Sequence, residues 1–198
     1  MGVFIRGYAT GSAWPRVTRT VVVPASELPL TLEEAKNFSR VPHDGEDAVL
    51  LMLLGASTKR VEADTGLALM TQTLDLTFDG FPSSTTWPLP VEPVQSVTSI
   101  ISTDTDGDPQ TMSAADYIVL GNRIGLADEA SWPTDLRKFT PVTVRVVAGY
   151  LSAELVPDDL KVAVALVFGW LVENREPAKW EREVYEGWVN NHKRELVA

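Results

Sequence analysis

The run Thr73-Leu74-Asp75-Leu76-Thr77-Phe78 alternates polar and apolar side chains, and it marks the change from helical to strand-like sequence. A period of two predicts a strand with one buried face, because successive side chains of a strand point to opposite sides. Further strand-like runs lie at Val97–Ser102, Asp116–Leu120, Arg123–Leu126 and Val142–Val146. Gly121-Asn122 has hairpin spacing, and scattered prolines limit strand length. We expect a small antiparallel β subdomain over residues 71–150.

Helical sequence precedes this β segment. Thr31-Leu32-Glu33-Glu34 is a capping box, which predicts a helix over residues 31–40 that ends before Pro42. A second helix is predicted over residues 45–66, with Asp44 as its N-terminal cap and Gly66 as a left-handed stop.

Helical sequence also follows the β segment. A third helix is predicted over residues 157–175, where Pro157 suits the first turn and Asp158-Asp159 suits the positive end of the helix dipole. One more helix fits residues 179–196. The predicted fold class is therefore α+β, with a helical core of three to four helices, an inserted β subdomain and extended termini.

Three segments are predicted along the chain: an N-terminal arm over residues 1–29, a core over 30–176 and a C-terminal helical tail over 177–198. In the arm only Val21-Val22-Val23 has strand character. The arm is either a frayed terminus or an extension that docks on a neighbour.

The charge balance bears on possible partners. The 198 residues include 17 Lys and Arg and 27 Asp and Glu, which gives a net charge of −10. A surface this acidic repels phosphates, so specific nucleic-acid binding is not expected. An acidic wall would still suit a channel through which DNA slides, because each Lys–phosphate contact would act as a brake.

The chain contains no cysteine, which excludes disulfides and thiolate zinc sites and fits a reducing cytoplasm. We expect no secretion signal, because the first fifteen residues hold no continuous apolar stretch. The longest apolar runs, Ala48–Ala56 and Val162–Val172, are shorter than the ~18–20 residues that a membrane span needs. No membrane association is expected.

Two apolar patterns are compatible either with core packing or with contacts to another chain. Ala48–Ala56 is apolar around the whole helix, so it needs cover on more than one side, either within its own domain or partly from another subunit. In the tail, Trp180, Val184 and Trp188 recur every four residues on one helical face. This stripe either packs on the parent domain or anchors a partner.

The chemical motifs favour structural explanations. Asp104-Thr105-Asp106-Gly107-Asp108 resembles a calcium loop, but Ser113 stands where a bidentate Glu is needed, so we interpret the run as a hairpin turn. His43 beside Asp44 has no nucleophile in a recognisable elbow. Glu173 and Glu176 could form a carboxylate pair, although a solvated helix end is favoured. The glycosylation pattern Asn37-Phe38-Ser39 lies in a predicted helix and is discounted.

Several phrases, in order and spacing, resemble the head-tail connector (adaptor) proteins of long-tailed phages, including those of domesticated prophages and gene transfer agents. The resemblance covers about residues 30–176. The phrases are Leu32-Glu33-Glu34-Ala35-Lys36, Val41 to Asp47, Val61-Glu62, Thr65-Gly66-Leu67-Ala68-Leu69, Thr71-Gln72-Thr73, Asp79-Gly80-Phe81-Pro82, Pro93-Val94-Gln95-Ser96-Val97, Asp116-Tyr117, Ser131-Trp132-Pro133, Ala148-Gly149-Tyr150, Pro157 to Lys161, and Trp170 with Glu173-Asn174-Arg175-Glu176.

The resemblance implies a structural protein of the particle neck, made in the bacterial cytoplasm. It implies a ring of about twelve subunits beneath a portal protein, which conducts DNA without specific binding and meets a stopper or tail-terminator protein. It favours a ring interface at Val49, Leu50, Leu53 and Leu54. The N-terminal arm and the tail lie beyond the segment that resembles the connectors, and in the tail the stripe of Trp180, Val184 and Trp188 predicts contact with the portal. The resemblance supplies no catalytic, cofactor-binding or metal-binding residue. The alternatives are a virion-associated hydrolase, or a stopper or tail terminator of the same machine.

Overall fold

The computed structural model describes residues 17–42, 44–174 and 182–192. These residues form two compact units, each built from separate stretches of chain. The first, which we call the sheet unit, contains described residues 17–25 and 71–149. The second, which we call the helical unit, contains those between 26 and 70 and those from 150 to 192. The α+β class predicted from the sequence is confirmed.

The sheet unit contains two antiparallel sheets. Its strands are β1 (Val17–Val23), β2 (Gln72–Phe78), β3 (Thr86–Pro88), β4 (Val94–Thr103), β5 (Pro109–Thr111), β6 (Tyr117–Leu120), β7 (Arg123–Leu126) and β8 (Val142–Ala148). Five strands form one sheet in the order β1-β2-β8-β4-β5, and three form the other in the order β3-β7-β6. The hairpin across Gly121-Asn122 is confirmed, because Leu120 pairs with Arg123.

The period-two pattern separates the two faces of the larger sheet. Leu74 pairs with Val146 on one face, and both side chains are fully buried. Asp75 pairs with Arg145 on the other face, where Arg145 Nε and Nη2 donate to the two carboxylate oxygens of Asp75 at 2.7 and 2.8 Å. This bidentate ion pair with Asp75 raises the pKa of the Arg145 guanidinium. The buried face carries the apolar side chains, and the ion pair lies on the exposed face.

The β structure is larger than the small insertion predicted from the sequence. Strand β1 comes from the segment expected to be an arm, and it pairs with β2 over most of its length, from Val17 opposite Phe78 to Val23 opposite Thr73. The main sheet is therefore assembled from one strand that precedes the first two helices in the sequence and four strands that follow them. Residues 1–16 of the predicted arm lie outside the described residues.

The helical unit contains four helices among its described residues. They are α1 (Leu32–Phe38), α2 (Asp47–Thr65), α3 (Asp158–Glu173) and α4 (Arg182–Val189), with a short 3₁₀ turn at Ala153–Leu155. Leu54 and Val61 of α2 and Leu160, Val164 and Phe168 of α3 are fully buried. None of the helices that the structure describes has the length and apolarity needed to cross a bilayer.

Helix α2 buries hydroxyl groups together with its leucines. Ser57, Thr58 and Thr65 lie on its buried side, and each donates to the carbonyl four residues earlier, at 2.7, 2.9 and 2.7 Å. A buried hydroxyl without a partner would cost free energy, and these bonds remove that cost.

The predicted helix ends are confirmed at Thr31 and Gly66 but not at Asp44. Thr31 and Glu34 form both bonds of the capping box, and Gly66 ends α2 with φ of 77°. Asp44 does not cap α2, because the cap position is Glu46 and makes no side-chain bond there. Instead Asp44 and Asp47 both accept from the nearly buried ammonium of Lys36. These ion pairs raise the pKa of Lys36 and join α1 to the start of α2.

Replacing Glu34 with Ala should destabilise the protein by about 0.5–1 kcal/mol at neutral pH. Hydrogen bonds from the Thr31 amide and hydroxyl lower the pKa of Glu34 below its ordinary value of 4.5. A group with a lowered pKa contributes fully above its ordinary pKa, and the contribution is lost as the pH falls through the lowered value. The difference between wild type and variant should therefore shrink below pH 4.5.

Urea denaturation of both proteins at neutral pH and in acid measures this difference. Glu33→Ala is the matched control, since Glu33 lies in the same first turn but outside the capping box. An equal loss of stability in both variants at neutral pH would contradict the role of the box.

Candidate interaction surfaces

Helix α2 has a buried side and an apolar outer side. Leu50 and Leu54 are 2% and 0% exposed. Val49 and Met52 are 48% and 73% exposed, Ala56 is exposed, and Leu53 is half-buried. The spacing i, i+3, i+4, i+7 puts Val49, Met52, Leu53 and Ala56 on one side of a helix. We call these four residues the α2 patch.

The α2 patch contains only part of the ring interface predicted from the sequence. Val49 and Leu53 belong to it, whereas Leu50 and Leu54 lie in the core of their own unit. Met52 is 73% exposed, more than Val49, and was not among the residues predicted for the ring interface. The helical period counted from Val49 would have found it. No contact with another subunit tests the interface, so it stays a prediction.

The inner face of α4 packs on its own unit. Tyr185 and Val189 are 2% and 0% exposed. The Tyr185 hydroxyl donates to Asp64 Oδ2 near the end of α2 at 3.0 Å. His192 Nε2, just after α4, lies 2.6 Å from Asp159 Oδ2 in the first turn of α3. These contacts hold α4 at the end of the helical unit where α2 finishes and α3 begins.

The outer face of α4 carries two of the three residues predicted to bind a portal. Val184 is 59% exposed and Trp188 is 40% exposed. Trp180 lies outside the described residues. The face of α4 with Tyr185 and Val189 packs on the parent unit, whereas Val184 and Trp188 lie on the other face and are partly exposed. Contact with a portal is not tested and stays a prediction.

A third apolar surface lies on the β6–β7 hairpin of the sheet unit. Ile118 and Leu120 are 62% and 81% exposed and lie two residues apart on β6, the edge strand of its sheet. Residues two apart on a strand share a face. Their cross-strand partners are Gly125 and Arg123. The hairpin was predicted from the sequence, but its exposed apolar surface was not.

Two of the candidate chemical groups, Asp104 and Asp44, have structural roles. Asp104 lies in the turn between β4 and β5, where its carboxylate accepts from the amides of Asp106 and Asp108 and from the Gln110 side chain. These bonds lower the pKa of Asp104, the Asp108 amide contributing most. The hairpin interpretation is therefore confirmed. Asp44 pairs with Lys36, Glu173 ends α3, and His43 and Glu176 lie outside the described residues.

Among residues 17–42, 44–174 and 182–192, no cluster of three His, Asp or Glu side chains could hold a metal ion. An open groove of about 560 Å³ lies beside Phe81 and Trp132 in the sheet unit, and its described lining contains no titratable side chain.

Comparison with solved structures finds the same fold in gene transfer agent particles. A chain in the virion of a native particle matches with a TM-score of 0.74 and 21% identity, over 91% of this chain and 98% of that chain. The fold is shared. Chains in two neck structures match with TM-scores of 0.75 and 0.72, at 22% and 23% identity, over 91% and 92% of this chain and 98% of each matched chain.

The two neck structures are of an empty particle, computed with C6 symmetry, and of a native particle, computed with C12 symmetry. No family model matches the sequence, and no curated protein does. At these identities the likeness concerns the fold, and it extends over both the sheet unit and the helical unit.

Proposed function

We propose that the chain is a structural head-tail adaptor, which forms a ring between the portal and the tail in the neck of a phage-like particle. The observation that carries the proposal is the fold shared with chains of gene transfer agent virion and neck structures over 91–92% of the sequence. The phrases that resemble phage connectors support it independently, since they come from the sequence alone.

The ring contains about twelve copies, in line with the symmetry used for the native neck structure. A cyclic ring closes by repeating one contact between two different surfaces of each copy. The helical unit and the sheet unit each offer an exposed apolar surface, the α2 patch and the β6–β7 hairpin. The chain therefore has the unlike surfaces that a closed ring requires.

The partners in this proposal are the portal protein on one side and a stopper or tail-terminator protein on the other. The outer face of α4, with Val184 and Trp188, contacts the portal, because exposed aromatic anchors are typical of interfaces. DNA passes through the lumen without specific binding. The net charge of −10 supports this passive role, since an acidic wall does not grip phosphates.

Electron microscopy of the chain mixed with a portal ring tests the proposal. We expect added density on one end of the portal and class averages with about twelve-fold symmetry. Five-fold or six-fold rings would contradict the stoichiometry, and binding only at the tail tube would favour a tail terminator instead. Release of sugars or peptides from purified cell wall would favour the hydrolase alternative.

A further inference from the structure

We propose that the β6–β7 hairpin of one copy covers the α2 patch of the next copy in the ring. This inference rests on the proposed ring and names the two surfaces that meet in it. It assigns a role to Ile118 and Leu120, which are exposed on the hairpin and have no function in the fold described above.

The hairpin has the features of a contact surface. Leu120 is 81% exposed and Ile118 is 62% exposed, and both point to the same side of β6. Solvent-exposed apolar side chains clustered in this way mark interaction sites more often than isolated ones do. On the other side of the hairpin Ile124 is fully buried, which fixes the hairpin on its own unit. The exposed side is therefore presented on a fixed element.

The α2 patch matches this surface in length and character. Val49 and Ala56 are seven residues apart, which is about 10 Å along a helix. Ile118 and Leu120 are about 7 Å apart along their strand. Two aliphatic side chains of the hairpin therefore fit along the patch, where Met52 supplies a flexible side chain that adapts to its partner.

Charges beside the two apolar surfaces are complementary. Arg123 is exposed and pairs across the strands with Leu120, so a cation borders the apolar part of the hairpin. The α2 patch is bordered by the acidic start of α2, where Asp44, Glu46 and Asp47 outnumber the ammonium of Lys36. An interface with Leu120 on the patch can bring Arg123 towards these carboxylates. Rim charges of this kind favour the correct register more than they add affinity.

The two surfaces are unlike, which suits a ring. A contact between two identical patches closes after two copies, whereas a contact between different patches continues from copy to copy and closes as a ring when the rotation between copies is a whole fraction of a turn. A hairpin on a helix is such a heterologous contact. The same geometry predicts that neither surface binds itself.

Crosslinking of mixed single-cysteine variants tests the pairing. The chain has no cysteine, so Leu120→Cys and Met52→Cys each introduce one thiol, at exposed positions. The two variants are mixed and treated with a short bismaleimide, and the linked peptides are identified by mass spectrometry. We expect a crosslinked dimer in the mixture but not in either variant alone. Leu120→Cys mixed with Val184→Cys is the control for random collision, because Val184 is also exposed.

A second variant measures the contribution of the hairpin to self-association. Ile118→Thr with Leu120→Thr keeps side chains that suit a strand but removes apolar surface, and it should weaken oligomer formation at least about tenfold by light scattering. Val21→Thr with Val23→Thr is the matched control, since these valines are exposed on another edge strand. This control should associate as the wild type does.

The outcomes separate this inference from the ring itself. Crosslinking of either variant with itself would indicate a two-fold contact and overturn the pairing. Absence of the mixed crosslink while the wild type forms rings on the portal would overturn the pairing and leave the ring proposal intact. A wild type that forms no ring with or without the portal would overturn both.

Discussion

Replacing Val184 and Trp188 together with Ala should weaken attachment of the chain to a portal ring by about 2–4 kcal/mol, which is roughly 30- to 1,000-fold in affinity. Both side chains lie on the outer face of α4, 59% and 40% exposed, so the proposed partner would bury them. The isolated protein should lose much less stability, because its core does not include these side chains. Binding to the portal ring and the melting temperature of the free protein measure the two effects.

The inner face of the same helix supplies the matched control. Tyr185→Ala removes a buried ring and its bond to Asp64, so it should lower the melting temperature of the free protein. If the outer-face variant instead lowers the melting temperature as much as Tyr185→Ala does, and binding falls in parallel, then Val184 and Trp188 stabilise the fold. The portal role of α4 would then be withdrawn.

Trp87→Ala should destabilise the protein by about 3–5 kcal/mol, the largest loss expected for a single substitution here. Trp87 is 1% exposed at the centre of an aromatic cluster in the sheet unit. Its ring centroid lies 4.5 Å from Phe78, 5.6 Å from Phe81 and 5.7 Å from Trp132, all in edge-to-face arrangements. Removal of the indole leaves a cavity and breaks three aromatic contacts.

Urea denaturation followed by circular dichroism measures this loss. Trp132→Ala is the control, because Trp132 is only half-buried and stacks on Phe81 at 5.1 Å on the rim of the same cluster. It should cost clearly less than Trp87→Ala. Equal losses would mean that Trp132, through its ring contacts and its bond to the Ser84 carbonyl, contributes as much to the cluster as the buried Trp87 does.

Much of the secondary structure could be predicted because local patterns determine it. The alternation from Thr73 to Phe78 became β2, and the capping box at Thr31 started α1 where expected. The three-residue strands β3 and β5 were missed, since so few residues carry no period. Strand β1 was only partly recognised, because an edge strand is fixed by its pairing with β2 more than by its own pattern.

The candidate surfaces could be predicted only in part, because the sequence does not show which apolar face a helix buries. On α4 the stripe of Val184 and Trp188 was identified, but the neighbouring stripe of Tyr185 and Val189 is the one that packs inward. On α2 the apolar circumference was recognised, yet Leu50 and Leu54 proved to be core residues. The partners that decide the buried face of α2 are α3 and α4, which lie far along the chain.

The interleaving of the two units has a consequence for synthesis on the ribosome. Strand β1 emerges before the first helices. Strand β2 cannot pair with β8 until much more of the chain has been translated, since Arg145, the ion-pair partner of Asp75, lies 70 residues later. The helical unit is likewise incomplete until α3 has been translated. Because contacts distant in sequence form slowly, the sheet unit stays incomplete until β8 has emerged and the helical unit until α3 has, so a nascent chain would keep strand edges open for most of its translation. A truncated product should therefore be a substrate for chaperones and proteases, so that only full-length copies reach an assembling particle.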